Sequence, residues 1–319
     1  MEDIQNHPDL FTLIDHPDPA CGNMVVVDWT LGNSCSYACS YCPKALHDGS
    51  LEWQKTDDVL NLYRQLNRHY VDELGKIVWL QFTGGEPTMH PRIIDLLGHA
   101  SDIGFKVSLI SNASRTLRFW EMINSRLNSV ILTYHAEFAE LSHFIQVAGT
   151  MTDRITVHIN VTMHPDRFDQ TLEDARELRA ALPTASISLK PLRKDFGVQL
   201  YDYTDDQLQV LAVGLPSDRA PVGEEPRSVM RATTRSGHTE ILRPNDFLLR
   251  DMNRWRGYKC NVGLESLRVR GNGEIFRGVC GVGGKIGTLG DALDLPRGQI
   301  RCTKDACSCL ADILIRKEM

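Results

Sequence analysis

The chain has no apolar run approaching the ~20 residues that a membrane-spanning helix needs, and its opening, Met1-Glu-Asp-Ile-Gln, lacks the basic-then-hydrophobic order of a secretory leader. Positive charge is also short: 35 Lys and Arg against 41 Asp and Glu leave a net charge of −6. A nucleic-acid footprint needs a basic face, so neither nucleic acid nor membrane is an expected partner. Internal repeats and low-complexity tracts are absent too, which sets aside solenoids and fibres. What remains is an ordinary globular composition, 42% hydrophobic and 24% charged over 319 residues. That length suits one large α/β domain with a small appendage. The nine cysteines stand out against it. A disulfide framework belongs to small secreted chains, so metal or redox chemistry in a reducing cytoplasm is the expectation, with Cys21 a buried thiol apart from the rest.

Three cysteines fall within the stretch Cys35-Ser-Tyr-Ala-Cys39-Ser-Tyr-Cys42, which Pro43 follows. The C-x3-C-x2-C spacing lets one loop wrap a single soft metal centre and leaves a fourth ligand position open. Structural zinc sites close with four protein ligands, whereas an open position belongs to a reactive site. Thiolates also suit an iron–sulfur cluster. Half of a zinc knuckle, or buried thiols without a metal, remain alternatives for this stretch alone. Downstream, the apolar run 77–82 leads into Thr83-Gly84-Gly85-Glu86-Pro87. Glycines let a backbone approach a ligand closely, and carbonyls with a carboxylate suit an ammonium group; an ordinary turn would also read this way.

The two motifs together, in this order, resemble the radical SAM superfamily. That resemblance implies a [4Fe–4S] cluster on Cys35, Cys39 and Cys42, with S-adenosylmethionine (SAM) on the open iron. It gives Tyr41 the aromatic position before the third cysteine. It also implies that Gly84, Gly85 and Glu86 hold the SAM amino group. Ser111, Asn112 and Asn160, at or within later strands, become candidates for the SAM ribose or carboxylate, with a turn-forming Asn as the plain alternative.

Strand and helix patterns alternate along the chain. Strands are expected at 25–31, 77–82, 105–110, 130–133, 155–163 and 187–192, with helices near 56–74, 91–103, 115–125, 137–148, 168–182 and 204–213. Thr56 is an N-cap with Asp57 and Asp58 in the first turn, and Gly75 closes that helix. Six such units imply a parallel sheet covered by helices, too few for a closed eight-stranded barrel. An open, partial (β/α)6 TIM-like barrel over 1–214 is what the resemblance implies. Residues 1–23 read as a loose or capping segment. Residues 215–257, with Pro216, Pro221, Pro226 and Pro244, read as a connector. Its basic run Arg227, Arg231 and Arg235 reads as a solvated surface, or less simply a substrate lid.

Residues 258–319 carry Cys260, a hairpin about Asn272-Gly273, Cys280, and then Cys302, Cys307 and Cys309 before a short helix to Lys317. This resembles a twitch/SPASM-type extension and implies a second, auxiliary [4Fe–4S] cluster. Its cysteine spacing departs from the full SPASM pattern, which favours one cluster over two. Five cysteines for four positions leave one over, with Cys307 or Cys309 the natural suspect; a structural zinc is the alternative.

Other candidates gather at strand ends, where parallel barrels place their active sites. His135 and Glu137 follow the fourth strand, and Lys190 and Arg193 end the sixth. The first pair suits contact with substrate, the second a carboxylate or phosphate. A capping His and a solvated rim are the plain alternatives. The expected function is reductive cleavage of SAM to a 5′-deoxyadenosyl radical, fed by a flavodoxin- or ferredoxin-type donor. Hydrogen abstraction from a small or carbohydrate-like substrate follows, with a peptide as the other option, and Lys190, Arg193 or His135 takes the proton in a two-electron oxidation. A redox-neutral epimerisation or rearrangement, and a zinc-stabilised binding protein, are the competing readings.

Overall fold

The computed structural model describes residues 11–196, 199–215 and 227–319. The chain runs through β1 (Phe11–Asp15), the single turn α1 (Pro19–Gly22), β2 (Met24–Thr30) and, after the cysteine loop, α2 (Thr56–Leu66). It continues through β3 (Ile77–Thr83), α3 (Ile93–Ile103), β4 (Lys106–Ser111), α4 (Leu117–Ile123) and β5 (Ser129–Tyr134). Next come α5 (Leu141–Gly149), β6 (Thr156–Met163), α6 (Phe168–Ala181), β7 (Ser186–Pro191) and α7 (Asp205–Val213). The last third holds β8 (Met230–Thr234), β9 (Thr239–Leu242), α8 (Pro244–Leu249), β10 (Lys259–Cys260), β11 (Ser266–Val269) and β12 (Glu274–Phe276). It ends with β13 (Lys285–Thr288), β14 (Ile300–Arg301), α9 (Leu310–Ile313) and β15 (Lys317–Glu318). No helix among the described residues is long and apolar enough to cross a membrane.

The expected alternation is present, with shifted ends. The helix from Thr56 widens into a π-helical stretch at Asn67–Glu73 before Gly75, whose φ of 64° closes it. The helix expected near 137–148 begins only at Leu141, because the preceding residues form a loop in which Glu137 bonds Ser40. The chain divides into two compact units: one takes the chain up to Trp29, Asp57–Leu80 and Pro226 onward, the other Thr30–Thr56 and Gln81–Glu225. The contacts therefore cut the chain differently from the consecutive segments 1–214, 215–257 and 258–319.

In the second unit, β4, β5, β6 and β7 pair in parallel and in chain order. Alternate side chains bury under the helices: α3 packs on β4 through Leu96, Leu97 and Ala100, and α6 packs on β6 and β7. The opposite face stays half-open, and the register arranges it in rows. Ile131, His158 and Ser186 form one row, Thr133, Asn160 and Ser188 the next, and Thr162 with Lys190 the last. Strand periodicity thus carries polar residues toward the C-terminal ends of the strands.

The first unit holds an antiparallel sheet in the order β14-β10-β15-β1-β8-β9. Its core includes Phe11, Ile14, Met230, Phe247, Trp255 and Tyr258. Beside it, β11 pairs in parallel with β2 and antiparallel with β12, about the expected turn, where Gly273 takes φ 82°. Two expectations change here. Part of the loose N-terminal segment is the strand β1, and Met1–Leu10 lies outside the described residues. Within the expected connector, 227–257 forms β8, β9 and α8, while 216–226, with Pro216, Pro221 and Pro226, lies outside the described residues. Arg227 is no surface residue: its guanidinium donates to the carbonyls of Cys21, Met24, Glu265 and Leu314. Arg231 makes a two-point ion pair with Asp15 at 2.9 and 2.6 Å.

Candidate active site

The cysteine loop and the glycine motif meet through their backbones. Gly85 N–H donates to Gly32 O at 3.1 Å and Glu86 N–H to Ser34 O at 2.8 Å. A Cβ at Gly85 would stand 2.3 Å from Ser34 O, and one at Gly84 2.4 Å from Gly32 O, where φ is also 144°. The glycines therefore admit the cysteine loop itself, a closer approach than any side chain allows. Around them the loop is pinned by Asn33, whose amide donates to Ala45 O, Asp48 Oδ1 and Ser50 Oγ.

Glu86 departs from the sequence expectation. Its carboxylate, 1% exposed, turns inward instead of waiting for an ammonium group. Oε1 accepts from Thr88 N–H at 3.0 Å, Thr88 Oγ1 at 2.6 Å and Ser111 Oγ at 2.9 Å, and Oε2 from Asn112 N–H at 2.7 Å. Burial raises its carboxyl above the ordinary carboxylate range, against these four donors. The group fastens the ends of β3 and β4 together. Asn112 passes the connection on, its Nδ2 lying 3.6 Å from Cys35 Sγ and 3.1 Å from Ser36 Oγ. Ser111 and Asn112 are thus at the rim, as expected, with backbone or hydroxyl already engaged.

Cys35 and Cys42 are half-buried and Cys39 is buried. Burial pushes all three thiols up, Cys39 to about 11. Such thiols become thiolates when a metal takes the proton's place, and three on one short loop fit a cluster with one iron left open. Among the described residues, no three His, Cys, Asp or Glu side chains converge as one ion requires. A cubane asks for a wider spread, since each thiolate takes a different iron.

Tyr41 ties the loop to β5 and β6. Its hydroxyl lies 2.6 Å from His135 Nδ1 and 3.0 Å from Thr162 Oγ1, and the rings of Tyr41 and His135 stack at 6.0 Å. Thr162 spends its own proton on Tyr134 O at 2.9 Å. The phenol thus stands among Thr162, His135 Nδ1 and the Cys39 thiol, to which it also hydrogen-bonds. Burial lowers His135 to about 4, against the nearby Glu137, so the imidazole is neutral. Glu137 itself accepts from Ser40 N–H at 2.8 Å and from the Ser40 hydroxyl. It braces the loop and is not free for substrate. Partial burial would raise its carboxyl, but those bonds, with His164 and Arg167, hold it below the usual range.

Lys190 is half-buried beside Thr162 in the register, and burial, then Arg193, lowers its pKa. Arg193 follows β7 in the turn where its backbone bridges to Leu200. Neither has a carboxylate partner among the described residues, so this end of the sheet suits an anion. Asn160 sits one row back, 3.1 Å from His158 Nε2 through its Oδ1.

In the other unit, Cys260, Cys280, Cys302 and Cys307 line one recess with Asp312 and Lys317. Cys309 does not line it; it caps α9 from its N-terminus. Burial raises Cys260 above the usual thiol range, Cys280 and Cys307 to about 12 and Cys309 to about 11. Four thiols in one recess, Cys260 and Cys307 buried and Cys280 and Cys302 half-buried, suit a second cluster in chemistry, and their spread is wider than a single ion takes. Sequence reasoning missed Ser40, Thr162, Asp312 and Lys317. Register with Lys190 offered a signal for Thr162; for the others only tertiary contact does.

The family model described as Radical SAM superfamily matches residues 29–178. The chain is similar to an S-adenosylmethionine-dependent nucleotide dehydratase of Fibrobacter sp. (strain UWH6), 23% identical over 180 residues, 54% of this chain and 48% of that protein. It is also similar to a PqqA peptide cyclase of Streptomyces rochei, 30% identical over 99 residues, 30% of this chain and 25% of that one. It thus spans about half the length of the first relative and a quarter of the second. Streptococcus suis SuiB, solved bound to S-adenosylmethionine, superposes with a TM-score of 0.51 at 13% identity, over 84% of this chain and 61% of that one. At that identity the likeness is one of fold.

Proposed function

We propose, from the match of residues 29–178 to the radical SAM family model, that this enzyme cleaves SAM reductively and takes a hydrogen atom from a small, carbohydrate-like substrate bearing an anionic group. When bound, a reduced [4Fe–4S] cluster with SAM supplies a 5′-deoxyadenosyl radical, which a protein side chain alone cannot. Cys35, Cys39 and Cys42 hold the cluster, and the backbone of Gly84 and Gly85, fixed by Glu86, faces the SAM amino group. Tyr41, Ser111, Asn112 and Asn160 complete the cofactor's surroundings, within an open (β/α)6 barrel. The observation that carries this reading is the backbone junction of the two motifs, Gly85 on Gly32 and Glu86 on Ser34.

Lys190 and Arg193 bind the substrate's anionic group, and the neutral imidazole of His135 accepts a proton. A two-electron oxidation removes one hydrogen as an atom, which turns the 5′-deoxyadenosyl radical into 5′-deoxyadenosine, and the other as a proton; Cys260, Cys280, Cys302 and Cys307, in a twitch-like region, would hold a second cluster of the kind that can accept the remaining electron. A flavodoxin- or ferredoxin-type protein supplies the first electron, in a reducing cytoplasm. The nucleotide named for the Fibrobacter relative carries both a sugar and phosphate, which supports the substrate class. Its being a dehydratase favours a second reading, loss of water without net oxidation. Product mass separates the two: two hydrogens lost, or one water. The Streptomyces relative's name keeps a peptide in view. Replacing Cys35, Cys39 and Cys42 by Ala tests the core of the proposal. The variant should fold yet form no 5′-deoxyadenosine from SAM under dithionite, and continued formation would falsify the assignment.

A further inference from the structure

A buried cation forms part of the wall of the C-terminal recess. Lys317 is 2% exposed, and its Nζ donates to Asp312 O at 2.7 Å, Ile313 O at 3.2 Å and Ile315 O at 2.7 Å. Three carbonyl acceptors on one nitrogen use three N–H donors, which an ammonium has and a neutral amine lacks. The indole of Trp255 lies under the charge at 4.5 Å, a further favourable contact for a cation. Carbonyls and an indole face solvate the ion without neutralising it. A methionine would fill the same space with no charge to desolvate.

The charge is directed at the cysteines. Lys317 lines the recess together with Cys260, Cys280, Cys302 and Cys307. Asp312 acts in the opposite sense. Its carboxylate lines the same recess and accepts from the backbone N–H groups of Cys280 and Val279. Lys304 also borders the recess.

We propose that Lys317 is a positioning charge that raises the reduction potential of the iron–sulfur cluster held by these four cysteines, with Asp312 as the opposing lever. The inference rests on the auxiliary-cluster reading given above. A thiolate-ligated cluster is anionic and becomes more so by one unit when it gains an electron. A fixed neighbouring cation therefore stabilises the reduced state more than the oxidised one. Burial keeps solvent ions from screening the effect.

The test uses the full chain, reconstituted with iron and sulfide, in the Cys35→Ala/Cys39→Ala/Cys42→Ala background, so that only the C-terminal site is read. Dithionite titration followed by EPR gives the midpoint potential. Lys317→Met should shift it downward and Asp312→Asn upward, while Lys317→Arg stays near the parent. A midpoint unmoved in Lys317→Met with iron retained overturns the inference, as do shifts of the same sign in the Met and Asn variants. If Lys317→Met cannot hold iron, the other two variants decide, and an unmoved Asp312→Asn overturns it. An iron-free parent background would instead remove the auxiliary-cluster reading, and this inference with it.

Discussion

A carboxylate that already accepts four hydrogen bonds is costly to alter, and Glu86 is such a group. Glu86→Gln places an N–H2 where one oxygen stood, so at least one of Thr88, Ser111 and Asn112 loses its acceptor. A buried donor left without one costs about 1–3 kcal/mol, and equilibrium denaturation should show a loss of that order. SAM affinity should fall with it, because the end of β4 is no longer tied to the glycine motif. Undiminished stability with weakened SAM binding would instead return the carboxylate to the ligand. His135 makes a pH-dependent prediction. Its folded value is about 4 against an ordinary 6.5, so between those values the unfolded chain binds a proton that the folded chain refuses. Stability therefore rises with pH through that window and is lost as the pH falls through it. Denaturation at about pH 5 and about pH 7.5 should differ more in the wild type than in His135→Gln. Equal differences would mean that the imidazole is not buried. The sequence placed His135 and Glu137 at one strand end, but only contact separates a neutral imidazole from a carboxylate spent on Ser40.

At the scale of elements, the sequence made the six strand–helix repeats legible because each strand is an apolar run and each helix repeats its own face locally. The helix start was equally local, although Thr56 is its first residue and not the residue before it, and so was the closing Gly75. β1 was not legible. Its residues, Phe-Thr-Leu-Ile-Asp, are too few and too polar to announce a strand, and its partners β8 and β15 are distant in sequence. The glycine motif was legible from its residues, but the close approach of its glycines to the cysteine loop was not. Gly85→Ala measures that difference. A Cβ set 2.3 Å from Ser34 O meets the backbone of Asn33 and Ser34, and the loop must move. Overpacking of this kind costs about 1–3 kcal/mol. Reconstituted Gly85→Ala should lose most of the iron bound by Cys35, Cys39 and Cys42 while folding otherwise. Wild-type iron content together with a selective loss of SAM binding would show that the glycine serves the ligand after all.

For the molecule as a whole, a division drawn along the sequence could not show that the N-terminal strand, the α2 segment and the last third of the chain form one unit. The cysteines nonetheless separate cleanly between units, Cys35, Cys39 and Cys42 in one and Cys260, Cys280, Cys302 and Cys307 in the other. If both groups are cluster ligands, as proposed, they should load independently, and iron counting can test that without knowledge of the substrate. A chain holding two cubane clusters contains about eight iron and eight sulfide, and a chain holding one contains about four of each. Reconstituted wild type should approach the higher figure. Cys35→Ala/Cys39→Ala/Cys42→Ala should keep about half, and Cys260→Ala/Cys280→Ala should keep the other half together with dithionite-dependent cleavage of SAM. Cys309→Ala should match the wild type, since Cys309 caps α9 and does not line the recess. Zinc at about one per chain in place of the second set of iron would make the recess a closed structural site. The second electron of an oxidation would then have no acceptor there, and the reaction that loses water would be the one to pursue.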